Sequence, residues 1–460
     1  MYRKQPLESL CRDLRNGTVS AAEIREQALS AEARLKHLNC FIRDGDAEEQ
    51  FSKASDAFKG GALWGIPVSF KDNICVKDLP VTAGTPGMTG CIATHDAFIV
   101  KKLKSLGAVV AGKNNMHELS FGITSVNVQW GTAGNPAAPG YCAGGSSGGC
   151  VSRPWSAGLY RSPSDTGGSV RIPAAFCGIA GFRPTTGRWA SSGIIPVSHT
   201  KDAPGLLTRT VKDAAFLYGL ISGSNTGEPS CEVRKLPCRV GLPASLWTGL
   251  DDHVERACFT AIRRMQDAGF DCVELDDGGI YALNETLTFT IPLYEFFTDF
   301  PRALLGLGWE QKIDAVFSHI ADPHVRKIIH AHLAEELISR AEAASAVRDI
   351  GRLRLQMNAL FQRQNIGLLA YPRHRVTSPC QVPPLSHVTG RSFFAEVIVN
   401  TDLASNAALP SVSLPVAPPG ALPVGLSFDA PTGQDLFLLK TAAHIEMLLG
   451  TSEPDIRTYW

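Results

Sequence analysis

Apolar positions along this chain recur in two periods, and the alternation between them points to the fold class. From Ser20, which forms a capping box with Glu23, the apolar residues Ile24, Ala28, Ala31 and Leu35 return every three or four positions, the spacing of one buried helix face. Ile66, Val68 and Phe70 then alternate up to Lys71, Asp72 and Asn73, which predicts a strand ending at the lysine. Ile99, Leu103 and Leu106 predict a helix capped by Thr94 or Asp96 and stopped by Gly107, with Ala108 to Ala111 as a short buried strand after it. The rhythm repeats as a strand at Val240 to Leu242, a helix from Asp252 to Ala268 stopped by Gly269, and a strand at Cys272 to Leu275. Long amphipathic helices are expected from about Val325 to Gln364, and a last helix over Asp435 to Leu449. Pro410, Pro415, Pro418, Pro419 and Pro423 divide Leu409 to Phe428 into loops and short strands. Strands alternating with helices imply an α/β fold, a mixed and mainly parallel sheet covered by helices on both faces. With no internal repeat and no clear linker, a single domain over 1–460 is expected, with N-terminal helices at about 5–60, a core at 61–215 and a C-terminal part at 236–460.

Composition narrows the function. Lys and Arg number 44, as do Asp and Glu, so no long-range field favours nucleic acid or an anionic membrane. No apolar run reaches the roughly 18 residues of a membrane span, and the N-terminus lacks an apolar signal core. The expectation is a soluble cytoplasmic protein. Twelve cysteines are scattered without a C-x-x-C pair, which reads as reduced thiols in a core rather than disulfides or zinc ligands. His330 and His332 lie two apart, so a helix would aim them in different directions, and no metal site is expected.

Two glycine-flanked serine clusters are harder to explain as packing: Gly144 to Gly149, containing Ser146 and Ser147, and Asp165 to Arg171, containing Ser169. Glycine has no side chain to bury, and it lets backbone N–H groups approach a ligand closely. A hydroxyl presented beside such donors is what acyl transfer requires. Two decoys compete. Gly107 to Lys113 matches G-x-x-x-x-G-K, but its middle is apolar strand sequence and Asn114 stands where Ser or Thr is needed. Gly144 to Gly148 matches the nucleophile elbow G-x-S-x-G of an α/β-hydrolase esterase using Ser146, with His374, His387 and His444 downstream. That alternative leaves Asp165 to Arg171 without a role. A linker reading of the first cluster conflicts with the structured sequence that flanks it closely.

Gly65 to Asn73, Gly144 to Gly149, and Asp165 through Arg171 to Gly178, in that order, resemble the amidase signature family of Ser-cisSer-Lys hydrolases. Val81 to Gly84 and Met116 to Gly122 look like its mandelamide and indole-3-acetamide hydrolase branch. The resemblance extends through Gly205 to Arg209 and reaches Leu422 to Gly425. It implies Ser169 as nucleophile, Ser146 on a cis peptide as proton relay, and Lys71 as neutral general base. It also implies an oxyanion hole from the backbone N–H groups of Thr166, Gly167, Gly168 and Ser169, with Ser147, Asp165 and Arg171 as support. No cofactor or metal is implied. The expected substrate is a small, aryl-substituted primary carboxamide, released as carboxylate and ammonia; a homodimer is compatible with the chain, and neither nucleic acid nor membrane is expected as a partner. An ammonia-supplying amidotransferase subunit and a catalytically impaired family member are the alternatives.

The second alternative is motivated by Val151 to Ser164. The family has a small-residue helix and an apolar strand there, whereas this chain has Arg153, Pro154, Trp155 and Arg161. Pro154 inside a helix would cost about 3 kcal/mol or more. One permitted set of codons for Cys150 to Asp165, read one base out of frame, spells an apolar helix and strand, so two compensating frameshifts account for the segment; the nucleotide sequence decides this. If real as written, the segment implies low stability and weak activity. Tyr371 to Arg375 is a second departure, more basic than expected near a substrate-facing loop, and Phe296, Phe297 and Phe300 are guessed as pocket walls.

Overall fold

The computed structural model describes residues 5–42, 60–151, 160–223, 239–379 and 393–450. Twelve strands run in chain order: β1 (Pro67–Lys71), β2 (Val109–Asn114), β3 (Tyr160–Ser162), β4 (Ser164–Asp165), β5 (Ala180–Arg183), β6 (Ala203–Pro204), β7 (Leu206–Thr208), β8 (Arg239–Pro243), β9 (Asp271–Leu275), β10 (Leu368–Pro372), β11 (Ser411–Pro415) and β12 (Gly425–Asp429). Ten form one sheet in the order β2-β1-β3-β7-β5-β11-β12-β10-β8-β9, and β4 pairs with β6 apart from it. The outer pairs β2–β1, β1–β3, β10–β8 and β8–β9 are parallel. Every pairing from β3 across to β10 is antiparallel. The strand–helix–strand periodicity marks the parallel flanks. In the antiparallel centre only β11 and β12 are joined directly; its other neighbouring strands come from distant parts of the chain, so no local period announces their pairing.

β10 shows that both sheet faces are covered. Leu368 and Ala370 join one apolar cluster, with Val412, Leu414, Leu426 and Phe428 of β11 and β12 and Leu438, Leu439 and Ala442 of the helix Asp435–Leu449. Leu369 and Tyr371 join another, with Leu353, Met357 and Leu360 of the helix Arg340–Arg363 and Leu403. Alternate residues pointing to opposite faces, both buried, make a sheet with helices on each side. Leu409 to Phe428 thus contains two central strands: Pro415 sits at the end of β11, where its missing N–H is not needed by the ladder.

The expected local signals are present with one adjustment. Ser20 and Glu23 form the capping box of the helix Ala21–Leu35, whose buried positions are Ile24, Ala28, Ala31 and Leu35. The next helix, Phe98–Ser105, has Ala97 at its N-cap and no side-chain cap. Asp96 does not serve there because its carboxylate accepts from the Lys77 N–H and from Lys104 at 2.8 Å each. The nucleotide-loop decoy is strand β2: Lys113 is buried and pairs with Asp72 at 3.2 Å. Among the described residues, no helix is long and apolar enough to cross a membrane.

Candidate active site

Lys71 is the last residue of β1, flanked by β2 and β3 in the sheet, and is completely buried. Its Nζ lies 2.7 Å from Ser146 Oγ and 3.3 Å from Ser164 Oγ. Ser146 Oγ lies 2.9 Å from Ser169 Oγ. Ser146 is fully buried and follows Gly145 through a cis peptide bond, while Ser169 is 8% exposed. The three side chains therefore form one chain of contacts that begins in the core and ends at the accessible edge. Burial lowers the Lys71 pKa to about 8, outweighing the opposing pull of Cys150, Asp202 and Asp165.

The glycines of the first cluster serve close backbone crossing. A Cβ on Gly149 would lie 2.3 Å from the Asn115 carbonyl oxygen, and one on Gly145 would lie 2.9 Å from backbone atoms of Ile123, Thr124 and Ser125. That packing excludes a free linker. In the second cluster Gly168 has φ of +126°, and a Cβ there would meet Thr401 Oγ1 at 2.8 Å, so any other residue would be strained and crowded at once. The Gly168 N–H donates to Asp165 Oδ1 at 3.0 Å and the Val170 N–H to Asp165 Oδ2 at 3.1 Å. The Gly168 amide is thus occupied. Those of Thr166, Gly167 and Ser169 have no protein partner among the described residues and stay available beside the Ser169 hydroxyl.

Asp165 is the hub behind this loop. Arg171 reaches it with Nε at 2.9 Å and Nη2 at 2.8 Å, and Arg183 with Nη1 at 3.1 Å, all fully buried. Burial alone would raise its pKa, but the two guanidinium groups and the Val170 N–H hold it far below the usual carboxylate range. Arg171 also donates to the Thr401 carbonyl at 2.9 Å and to Ser405 Oγ at 2.8 Å. Ser147 is buried and donates to the Ser164 carbonyl at 3.4 Å. The geometry brings together all the residues singled out in the two clusters.

The family profile described as amidase matches residues 23–439. An indoleacetamide hydrolase of Pseudomonas savastanoi is 57% identical, covering 98% of this chain and 98% of its own length. A mandelamide hydrolase of Pseudomonas putida is 30% identical over 97% of this chain and 91% of its own. A solved crystal structure of an amidase superposes with a TM-score of 0.82 at 26% identity, covering 96% of this chain and 99% of that one. The chain belongs to the amidase family. It is an amidase, a hydrolase of amide bonds, on a single large α/β domain.

In this amidase the esterase reading of Ser146 falls away. The Ser146 side chain bonds Lys71 and Ser169, and among the described residues it meets no histidine ring. His374 lies against Phe176 at 4.4 Å between ring centroids, and His387 lies outside the described residues. Arg373 is buried in the interior and donates to Ser411 Oγ at 3.1 Å, so the basic run after Tyr371 feeds the inner network. Phe296 and Phe300 are fully buried core residues that stack on each other at 5.0 Å, and the partly buried Phe297 stacks on Phe317 at 5.9 Å. His330 bonds the Phe317 carbonyl and His332 stacks on Phe297, so the two rings are held in separate contacts.

Of the unusual segment Val151 to Ser164, residues 152–159, with Arg153, Pro154 and Trp155, lie outside the described residues. Arg161 is buried in β3 and donates to the Gly149 and Cys150 carbonyls.

Several supporting contacts of this amidase tie the quoted motifs to residues outside them. Asn73 donates to Ser164 Oγ at 2.9 Å, holding the second hydroxyl against Lys71. Thr401 Oγ1 donates to the Gly167 carbonyl at 2.6 Å. Thr166 donates to Asp202 at 2.6 Å, and the N–H groups of Val197 and Ser198 hold the other oxygen of Asp202. The His117 N–H donates to the Ser146 carbonyl at 3.0 Å. His199, Glu295 and Asp299 form the sole cluster of metal-ligand type among the described residues. Both His199 ring nitrogens face carboxylate oxygens, at 2.8 and 3.2 Å, and the carboxylates also accept from Ser198, Thr200 and the His199 N–H. That arrangement clasps the loop to the helix Thr290–Gly306.

Proposed function

We propose that this amidase hydrolyses an aryl-substituted primary acetamide, with indole-3-acetamide the first candidate, through an acyl-enzyme on Ser169. The unbroken contact chain from Lys71 through Ser146 to Ser169, at 2.7 and 2.9 Å, is the observation that carries the mechanism. The relatives named as indoleacetamide and mandelamide hydrolases support the substrate class. An ammonium at Lys71 donates to Ser146, whereas the neutral amine accepts instead, and the two hydroxyl hydrogens turn accordingly. In that form Ser169 passes its proton to Ser146 as Ser146 passes its own to Lys71, and Ser169 Oγ attacks the amide carbon. The oxygen that becomes negative meets the amides of Thr166, Gly167 and Ser169; losing one such donor costs about 10²–10³ in rate. Lys71 then returns the proton through Ser146 to the leaving nitrogen, the C–N bond breaks, and ammonia departs from an ester on Ser169. Water attacks that ester through the same relay, the C–O bond breaks, Ser169 regains its proton, and the carboxylic acid leaves and ionises. The chain uses groups of its own throughout.

The free thiols of nine described cysteines, from Cys11 to Cys272, support a cytoplasmic location, since a reducing compartment keeps them so. The test is ammonia release from indole-3-acetamide, phenylacetamide and mandelamide. Wild type should release ammonia from at least one, and Ser169→Ala should fall by about 10⁴ or more, as removal of an acylating serine does. Ser169→Ala at wild-type rate removes the nucleophile assignment. Activity that needs an added partner subunit points to ammonia supply instead.

A further inference from the structure

A third apolar cluster, separate from the two that sandwich the sheet, lies against both serine loops. Ile123, Ile172, Phe176 and Val397 are buried in it, while Phe394 and Ile398 sit at its partly open edge. Its contacts with the catalytic loops are direct. A Cβ on Gly168 would meet Ile172 Cδ1 at 3.1 Å, and one on Gly167 would meet Ile398 Cδ1 at 3.2 Å. On the other loop, a Cβ on Gly144 would meet Phe176 Cδ2 at 3.0 Å, and one on Gly145 the Ile123 backbone at 2.9 Å. The cluster therefore touches residues on either side of the Ser146–Ser169 contact.

Phe394 and Ile398 lie four apart on the helix Phe393–Asn406, so they share one face. Thr401, one turn further, holds the Gly167 carbonyl, which fixes that face relative to the oxyanion loop. The Phe394 ring also meets the half-exposed Phe289 ring at 5.3 Å. The open edge thus combines an aromatic face with an aliphatic one, and its Ile398 lies within van der Waals reach of the loop that carries Ser169. An acyl group esterified to Ser169 must lay its substituent beside that loop. An apolar, partly open wall there suits a planar aromatic ring, which gains both area burial and ring-to-ring contact.

We propose that Phe394 and Ile398 are specificity-determining residues that receive the aromatic substituent of the acyl group. This rests on the acyl-enzyme reading of Ser169, so binding and catalysis are measured separately. In an inert Ser169→Ala background, calorimetry gives the dissociation constant for indole-3-acetamide with Phe394 and Ile398 intact, and again with Phe394→Ala, Phe394→Leu or Ile398→Trp added. Ammonia release by the same substitutions in wild type gives kcat/KM. Loss or filling of the wall should weaken binding by about tenfold or more. Phe394→Leu, which keeps the volume but not the ring, should fall between, and melting temperatures should stay close to the parent. Unchanged dissociation constants in Phe394→Leu and Ile398→Trp, or no binding of indole-3-acetamide by the parent, overturn the wall. Wild type that binds the amide yet releases no ammonia leaves the wall standing and removes the acyl-enzyme reading.

Discussion

At the scale of single residues, Lys71 carries the largest conflict between stability and activity. A buried ammonium without a carboxylate partner costs free energy, which burial expresses by lowering its pKa from 10.5 to about 8. Between those values the unfolded chain binds more protons than the folded one, so this group makes stability rise with pH across that window. Below about pH 8 the penalty is present in full. Lys71→Met, close in length and uncharged, should therefore melt higher than wild type at pH 7, with the gain shrinking toward pH 10, while ammonia release drops by about 10²–10⁴ as for loss of a general base. A variant that melts lower at pH 7 would show that the contacts of Lys71 with Ser146 and Ser164 outweigh its burial. In wild type, kcat/KM should climb tenfold per pH unit and level off above about 8, where the amine is neutral.

At the scale of elements, the helices Val211–Ser222 and Asp435–Leu449 meet at a buried carboxyl. Glu446 accepts the Val211 N–H at 2.8 Å, and burial pushes its pKa up to about 8. Here the sign is opposite to that of Lys71. From 4.5 to 8 the folded state keeps a proton that the unfolded chain has lost, so stability falls as pH rises through that interval. Glu446→Gln keeps an acceptor for Val211 and cannot ionise. Its urea midpoint should match wild type at pH 5 and exceed it at pH 9; a constant difference at both pH values would mean that Glu446 is already charged when folded. The N-terminal half of the Asp435–Leu449 helix is tied down separately, by Asp435 accepting from the Thr185 N–H and hydroxyl at 2.8 and 2.7 Å.

At the scale of the whole molecule, Asp165 joins parts of the chain that are far apart in sequence. Its partners Arg171 and Arg183 lie on the helix Arg171–Cys177 and on β5, and through Arg171 it is linked to Thr401, Ser405 and Ser411, up to 240 positions away. Arg183 adds the Lys201 carbonyl at 2.6 Å, and Lys201 itself pairs with Asp402 at 2.7 Å. Removing the one carboxylate leaves two buried guanidinium groups facing each other. Asp165→Ala should lower the unfolding free energy by about 3–5 kcal/mol, read from urea denaturation. Because the folded pKa is depressed, this contribution is present at neutral pH and lost only as the solution falls below the ordinary carboxylate range. A loss under 1 kcal/mol at pH 7 would show that the network positions the loop without holding the two halves of the chain together.

What the sequence determined by itself was chemistry with a local cause. Glycines beside serines mark backbone that must come close to something; a capping box and a 3.6-residue period mark a helix; a polar lysine closing an apolar alternation marks a strand end. These signals act over a few residues, so the two serine clusters could be read without coordinates, while the roles expected of Lys71, Asp165 and Arg171 came from the family resemblance. Tertiary structure decided the rest. Ser164, Thr401 and Asp402 are ordinary residues until chain segments separated by up to hundreds of positions meet. The antiparallel centre of the sheet was hidden for the same reason, since Pro372 and Pro415 look like breakers until burial on both faces outweighs local propensity. The apolar edge at Phe394 and Ile398 also exists only once their helix is pinned to Gly167. Local physics marks the candidate groups, and long-range packing selects which of them touch.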